Sequence, residues 1–154
     1  MQINYLADHQ DFIPTLAQWH HREWAYLRPG DSVAARITRL RGCCGHREIP
    51  TVLVAFTDRT LAGSAMLVEH DMDTRTELSP WLAGVFVAPD HRRHGIGAAL
   101  VRRVIDDATA LGVQRLYLYT PNTENFYSSR GWALVERTSY RGADVAVMSY
   151  ECAV

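Results

Sequence analysis

Three observations predict a mixed α/β (α+β) fold for this chain. Apolar residues recur at helical spacing as far as Leu40, the period becomes that of strands from Pro50, and a strand, a glycine-bearing loop and a helix follow one another across 81–111. Met1 to Ala7 alternates weakly and reads as a first strand, after which Asp8 or Asp11 offers a helix N-cap. Phe12, Ile13, Leu16, Trp19 and Trp24 mark a first helix that stops before Arg28-Pro29-Gly30. Ser32 offers a second cap. Val33, Ile37 and Leu40 then stand at i, i+4 and i+7, and Gly42 fits the end of that helix.

Thr51 to Phe56 reads as a strand, Asp58-Arg59-Thr60 as a turn and Leu61 to Glu69 as the hairpin partner. A polar, acid-rich connection spans His70 to Ser79. Trp81 to Val87 is nearly all apolar, the composition of a strand buried on both faces. Ile96, Leu100, Val104, Ala108 and Leu111 form one stripe of a helix that Gly112 closes. Leu116 to Thr120 is a strand and Asn122 to Ser129 a short helix; Ala133 to Ser139 then pairs with Asp144 to Tyr150 around Arg141-Gly142. No repeat or linker interrupts the pattern, so 1–154 is expected to be one domain.

Composition narrows the function class. With 47% hydrophobic and 21% charged residues, the 154-residue chain is globular and large enough to bury a core. A formal net charge of −1 gives no reason to expect a nucleic-acid or membrane partner. No basic segment leading into an apolar run opens the chain, and no apolar stretch reaches the roughly 18 residues that span a bilayer. Cys43, Cys44 and Cys152 form no CxxC pair, and their odd number argues against a disulfide framework, so a reduced, cytoplasmic protein is expected.

The chemistry concentrates in Val85-Phe86-Val87-Ala88-Pro89-Asp90-His91-Arg92-Arg93-His94-Gly95-Ile96-Gly97-Ala98. A strand, a glycine loop and a helix start in that order present free backbone N–H groups to a phosphate. Gly95 and Gly97 let the main chain approach an anion with no Cβ in the way, and Arg92, Arg93 and His94 add positive charge. A tight turn with glycines for packing is the plain alternative. A dinucleotide fingerprint fails because its third glycine would fall at Leu100, and no Gly-Lys-Ser/Thr follows to make a Walker loop. His91-x-x-His94 is too small a set for zinc, so no metal is expected.

Arg92-x-x-Gly95-x-Gly97 resembles the pyrophosphate-binding signature, Gln/Arg-x-x-Gly-x-Gly/Ala, of the GNAT superfamily of N-acetyltransferases. Asn125-Phe126-Tyr127-Ser128-Ser129-Arg130-Gly131-Trp132 resembles that family's later motif, a Tyr four residues before Gly-Phe or Gly-Trp. The resemblance implies a central, mostly antiparallel sheet flanked by helices, with strands 4 and 5 splayed. It implies acetyl-CoA as co-substrate, its diphosphate on the N–H groups of Arg93, His94, Gly95, Ile96, Gly97 and Ala98 behind Arg92. The pantetheine arm would run beside Val85, Phe86 and Val87, with Asn122 and Asn125 near it or the adenosine; helix capping explains Asn122 equally well. Arg93 departs from the pattern, since many relatives have Gly there.

Tyr127 inherits from the family the role of general acid toward the departing CoA thiolate; a ring packed on its helix with a bonded hydroxyl is the alternative. Many relatives draw their general base from a Glu on the fourth strand, but Leu82 to Val87 has no carboxylate. Glu23, Glu69, Asp71, Asp73, Glu77, His20, His21 and His70 are the candidates elsewhere, although each also reads as a solvated loop or helix residue. Glu23, among His20, His21, Trp24 and Tyr26, and Asp71, after the third strand, lead them, and a chain of ordered waters with no dedicated base serves equally well. The acid set Glu69, Asp71, Asp73 and Glu77 would favour a cationic amine beside a transfer site, or merely be solvated. Trp19, Trp24 and Trp81 could floor an acceptor pocket or fill the core.

The expected activity is therefore transfer of an acetyl group from acetyl-CoA to a primary amine of a small molecule or peptide by direct attack. The missing strand carboxylate supports the alternative, a non-catalytic acyl-CoA sensor or interaction module. A homodimer through the last strands is compatible with the resemblance and is not decided by the sequence.

Overall fold

The computed structural model of the chain describes residues 1–152; positions 153 and 154, the end of the expected domain, lie outside the described residues. Seven strands form one sheet: β1 (Gln2–Tyr5), β2 (Thr51–Thr57), β3 (Thr60–Val68), β4 (Trp81–Val87), β5 (Arg115–Thr120), β6 (Ala133–Tyr140) and β7 (Ala143–Glu151). Their order is β1-β2-β3-β4-β5-β7-β6, antiparallel at every seam except β4–β5. Helices α1 (Ile13–Trp24), α2 (Val33–Arg41), α3 (Ile96–Ala110) and α4 (Glu124–Ser128) cover the sheet.

Period-two alternation splits the core across the two faces. Val52, Val54 and Phe56 of β2 pack with Ile13, Leu16 and Leu40 of α1 and α2. Leu53 and Ala55 turn the other way and join Ile96, Leu100 and Val104 of α3 and Tyr127 of α4. Burying each of these large side chains contributes about 1.5–3 kcal/mol. Gly63 of β3 is required at its seam, because an added Cβ would stand 2.6 Å from the Phe86 carbonyl of β4.

Ser32 caps α2, its hydroxyl accepting the Ala35 N–H at 3.0 Å. Gly112 (φ +84°) ends α3 in a Schellman motif, with Val113 N–H bonded to the Ala108 carbonyl and Gly112 N–H to that of Thr109. Three expectations are corrected. Neither Asp8 nor Asp11 caps α1: two 3₁₀ turns at Leu6–Asp8 and Gln10–Phe12 precede it, and Phe12 leads into it without a side-chain cap. Only the first half of β4, Trp81 to Ala83, is buried, while Gly84 to Val87 opens toward a cleft. Asn122 is not the cap of α4, since the Thr120 hydroxyl accepts the N–H groups of Thr123 at 3.0 Å and Asn122 at 3.4 Å.

Candidate active site

The sheet splits between β4 and β5. They are in register only at Trp81 opposite Tyr117, where Tyr117 N–H donates to the Pro80 carbonyl at 3.0 Å, and they diverge beyond it. A bulge in β4 helps to open the gap. Ser64 faces Phe86 and Met66 faces Ala83, so Gly84 and Val85 together oppose one residue of β3. Gly84 (φ +57°) belongs there for two reasons: the left-handed backbone, and an added Cβ that would meet Met66 Sδ at 2.6 Å.

A buried polar relay holds that bulge. Ser64 Oγ donates to the Gly84 carbonyl at 2.8 Å. Its proton being engaged, Ser64 Oγ accepts from His20 Nε2 at 2.9 Å, which fixes the tautomer with the proton on Nε2. Burial pushes the His20 pKa down to about 3, with Arg36 and Arg39 adding to the effect, so the imidazole is neutral. Read from sequence, His20 was a solvated helix residue and Ser64 carried no signal, because only the packing of α1 on β3 makes this contact.

A cleft of about 720 Å³ occupies the split and brings Glu23, Asp71, Val85, Asn122 and Tyr127 together. Tyr127 is 6% exposed, its ring set edge-on against Phe126 and Trp132. Burial raises the pKa of its phenol, and among the described residues its hydroxyl has no hydrogen-bond partner. Asp71 departs from the solvated loop residue that its acidic surroundings suggest. Its side chain is 12% exposed and lies 3.6 Å from Arg39, and burial raises its carboxyl pKa against the opposing pull of Arg39 and Arg28. Glu23 is exposed in the last turn of α1, at the cleft mouth. Trp24 lines the cleft, Trp81 belongs to the core, and Trp19 packs on Phe86.

The glycine loop lies apart from the cleft lining, at the start of α3. Arg93 (φ +66°) and Gly95 (φ +77°) both take left-handed backbone there. Successive amides around such residues form an anion-binding concavity. Ala99 N–H donates to the Gly95 carbonyl, but the N–H groups of Arg93, His94, Gly95, Ile96, Gly97 and Ala98 donate to no acceptor among the described residues. Arg92 is partly committed: its Nε donates to the Val87 carbonyl at 2.9 Å and its guanidinium lies 5.7 Å from the Phe86 ring centre. The Val87 carbonyl thus already has a partner. Asn125 is exposed and lines a second groove together with Asn122, outside the cleft that holds Tyr127. No group of His, Cys, Asp or Glu among the described residues is arranged to hold a metal ion.

The acetyltransferase (GNAT) family model matches residues 13–132, from α1 to the end of the Tyr127 motif. The chain belongs to this family. Solved structures agree on the GNAT fold. The chain is 18% identical to ribosomal-protein-alanine N-acetyltransferase from Brucella melitensis, covering 98% of this chain and 99% of that one with a TM-score of 0.75. It is 16% identical to aminoglycoside 6'-acetyltransferase type Ii, covering 100% and 99% with a TM-score of 0.77. It is 19% identical to yncA from Salmonella typhimurium, solved with its cofactor acetyl-CoA, covering 100% and 95% with a TM-score of 0.70. Comparison with curated proteins returned no match. No helix of this GNAT chain, among the described residues, is long and apolar enough to cross a membrane.

Proposed function

We propose that the protein acetylates a primary amine of a small molecule or peptide by direct attack on acetyl-CoA. One observation carries the reading: an unclaimed row of amides at 93–98 lies beyond the open end of β4, and the unpartnered hydroxyl of Tyr127 lies within the split. The donor set fits the co-substrate, since a diphosphate needs several N–H groups converging without side chains between them. Arg93 to Ala98 would hold that diphosphate, the β4 edge at Val85, Phe86 and Val87 the pantetheine arm, and Asn122 and Asn125 its outer reach.

Bound acetyl-CoA supplies an activated thioester. Asp71 takes the proton of the acceptor ammonium, its buried carboxyl being a better acceptor than a solvated one. Glu23, exposed at the mouth, is the weaker base. The amine nitrogen forms a bond to the acyl carbon, the carbon–sulfur bond breaks, and Tyr127 Oη gives its proton to the departing sulfur. The nitrogen then loses its second proton, which restores the Tyr127 phenol, and Asp71 releases its own to solvent. Desolvation that raises the phenol pKa also raises the basicity of a thiolate leaving in the same place, so donor and acceptor stay matched. The free cysteines suit a reducing compartment, and we place the reaction in the cytoplasm.

Thiol release from acetyl-CoA against a panel of amines tests the reading, with acetylated products identified by mass spectrometry. Release that depends on an amine is expected. Binding of acetyl-CoA with no release for any amine would replace the transferase by an acyl-CoA sensor.

A further inference from the structure

The acceptor end of the cleft is more cationic than its acid-rich sequence suggests. Arg28, Arg36, Arg39 and Arg141 all line it. Three have carboxylate partners. Arg36 Nε contacts both oxygens of Asp31 at 2.9 and 3.0 Å, Arg39 faces Asp71 at 3.6 Å, and Arg141 pairs with Asp73. Arg28, which follows the 3₁₀ turn Ala25–Leu27, is half-buried; its backbone N–H closes that turn on the Ala25 carbonyl at 3.1 Å, but its guanidinium makes no hydrogen bond or ion pair among the described residues. Burial is the main cause lowering its pKa, and the nearby Arg39 and Arg36 add to it. A desolvated guanidinium crowded by two others gains more from an incoming anion than one in water does.

We propose that Arg28 binds a carboxylate of the acceptor, so that the amine acetylated belongs to a small amino acid. The inference rests on the transferase reading above and narrows its substrate. A planar carboxylate matches the guanidinium fork bidentately. One unpartnered cation neutralises one negative charge; the doubly charged phosphate of an amino-phosphate would find no second free arginine in this cluster. Asp71 is close enough to Arg28 for their charges to interact, so one cluster offers a cation to the acceptor's carboxylate and an anion to its ammonium. Trp24 and Leu27 add apolar wall beside them, which suits a side chain more than a second charge.

The test uses the full chain with acetyl-CoA and four amino acids (glycine, L-alanine, L-methionine, L-phenylalanine), their methyl esters, and phosphoethanolamine. The best amino acid is expected to exceed its own ester at least tenfold in kcat/KM, although more of the ester's amine is neutral at pH 7. Arg28→Gln is expected to lower that acid-to-ester ratio about 10- to 100-fold, mainly through KM, as loss of a charge-assisted bidentate hydrogen bond predicts. Arg28→Lys is expected to keep part of it. Esters turned over as well as the acids, phosphoethanolamine preferred to every carboxylate, or an unchanged ratio in Arg28→Gln would each overturn the assignment and leave the transferase reading standing. No thiol release from any amine, with acetyl-CoA still raising the melting temperature, would overturn both.

Discussion

Burial acts on Tyr127 and Asp71 in one direction, and in the proposed mechanism it serves opposite ends of the reaction. Both groups bind their protons more tightly than in water, so the phenol reaches the transfer step protonated and the carboxylate is drawn toward accepting one. Tyr127→Phe should lower kcat about 100-fold or more while acetyl-CoA affinity, read by calorimetry, stays within about twofold. Equal turnover would remove the acid. Asp71→Asn should lower kcat/KM about 100-fold at pH 7. The wild type should lose activity as pH falls through the raised carboxyl pKa, and the variant should lack that limb; a limb retained in Asp71→Asn would assign the base elsewhere. Tyr127 was legible in the sequence because its motif is local, four residues ahead of Gly131. Asp71 was legible only as a position after a strand. Arg28 entered only as part of a helix-ending break, since the absence of a partner is visible only once α2 and the loop after β3 have been packed around it.

The two glycines of the loop at 93–98 are not equivalent. Gly95 has open space where a Cβ would stand but sits at φ +77°, so any side chain there strains the backbone by about 1–2 kcal/mol. A Cβ at Gly97 would make ordinary contacts, 3.5 Å to Val87 and 3.8 Å to Phe126. Gly97→Val should therefore cost acetyl-CoA affinity at least tenfold with little loss of melting temperature, whereas Gly95→Val should lose both; undiminished affinity in Gly97→Val would reject the loop as the anion site. The relay on β4 makes a separate prediction. Unfolded, His20 takes up a proton below about pH 6.5; folded, it resists until about pH 3. Its depressed folded pKa thus contributes stability above pH 6.5 that falls away as the solution is acidified, at about 1 kcal/mol per pH unit. His20→Gln should flatten the decline in melting temperature between pH 6.5 and 5; an identical slope would show that His20 ionises freely. Helices and strands were readable because their periods are local. The bulge was not, because Gly84 in an apolar run looks like any strand residue until its partners on β3 are known.

At the scale of the molecule, the sheet separates two cores, one on each of its faces, and both include residues of β4 and β5 or pack against them. A ligand spanning the split stabilises the folded form by mass action: acetyl-CoA at 100 times its dissociation constant should add about 2.7 kcal/mol, or roughly 5–10 °C of melting temperature. NAD at the same concentration should give no shift, and a shift with NAD alone would favour a dinucleotide site. The mostly antiparallel sheet, its helix layers and the divergence of β4 from β5 followed from the family resemblance. Electrostatics at the acceptor end did not, because the acids of 69–77 were visible in one stretch while the arginines that outnumber their partners come from separate segments. Trp132 has one further consequence. Its indole is 3% exposed and its Nε1 is a buried donor with no partner among the described residues, 5.8 Å ring to ring from Tyr127. An indole in that state fluoresces at the blue edge of the tryptophan range, so the chain carries an optical reporter beside Tyr127, whose share of the emission Trp132→Phe would remove.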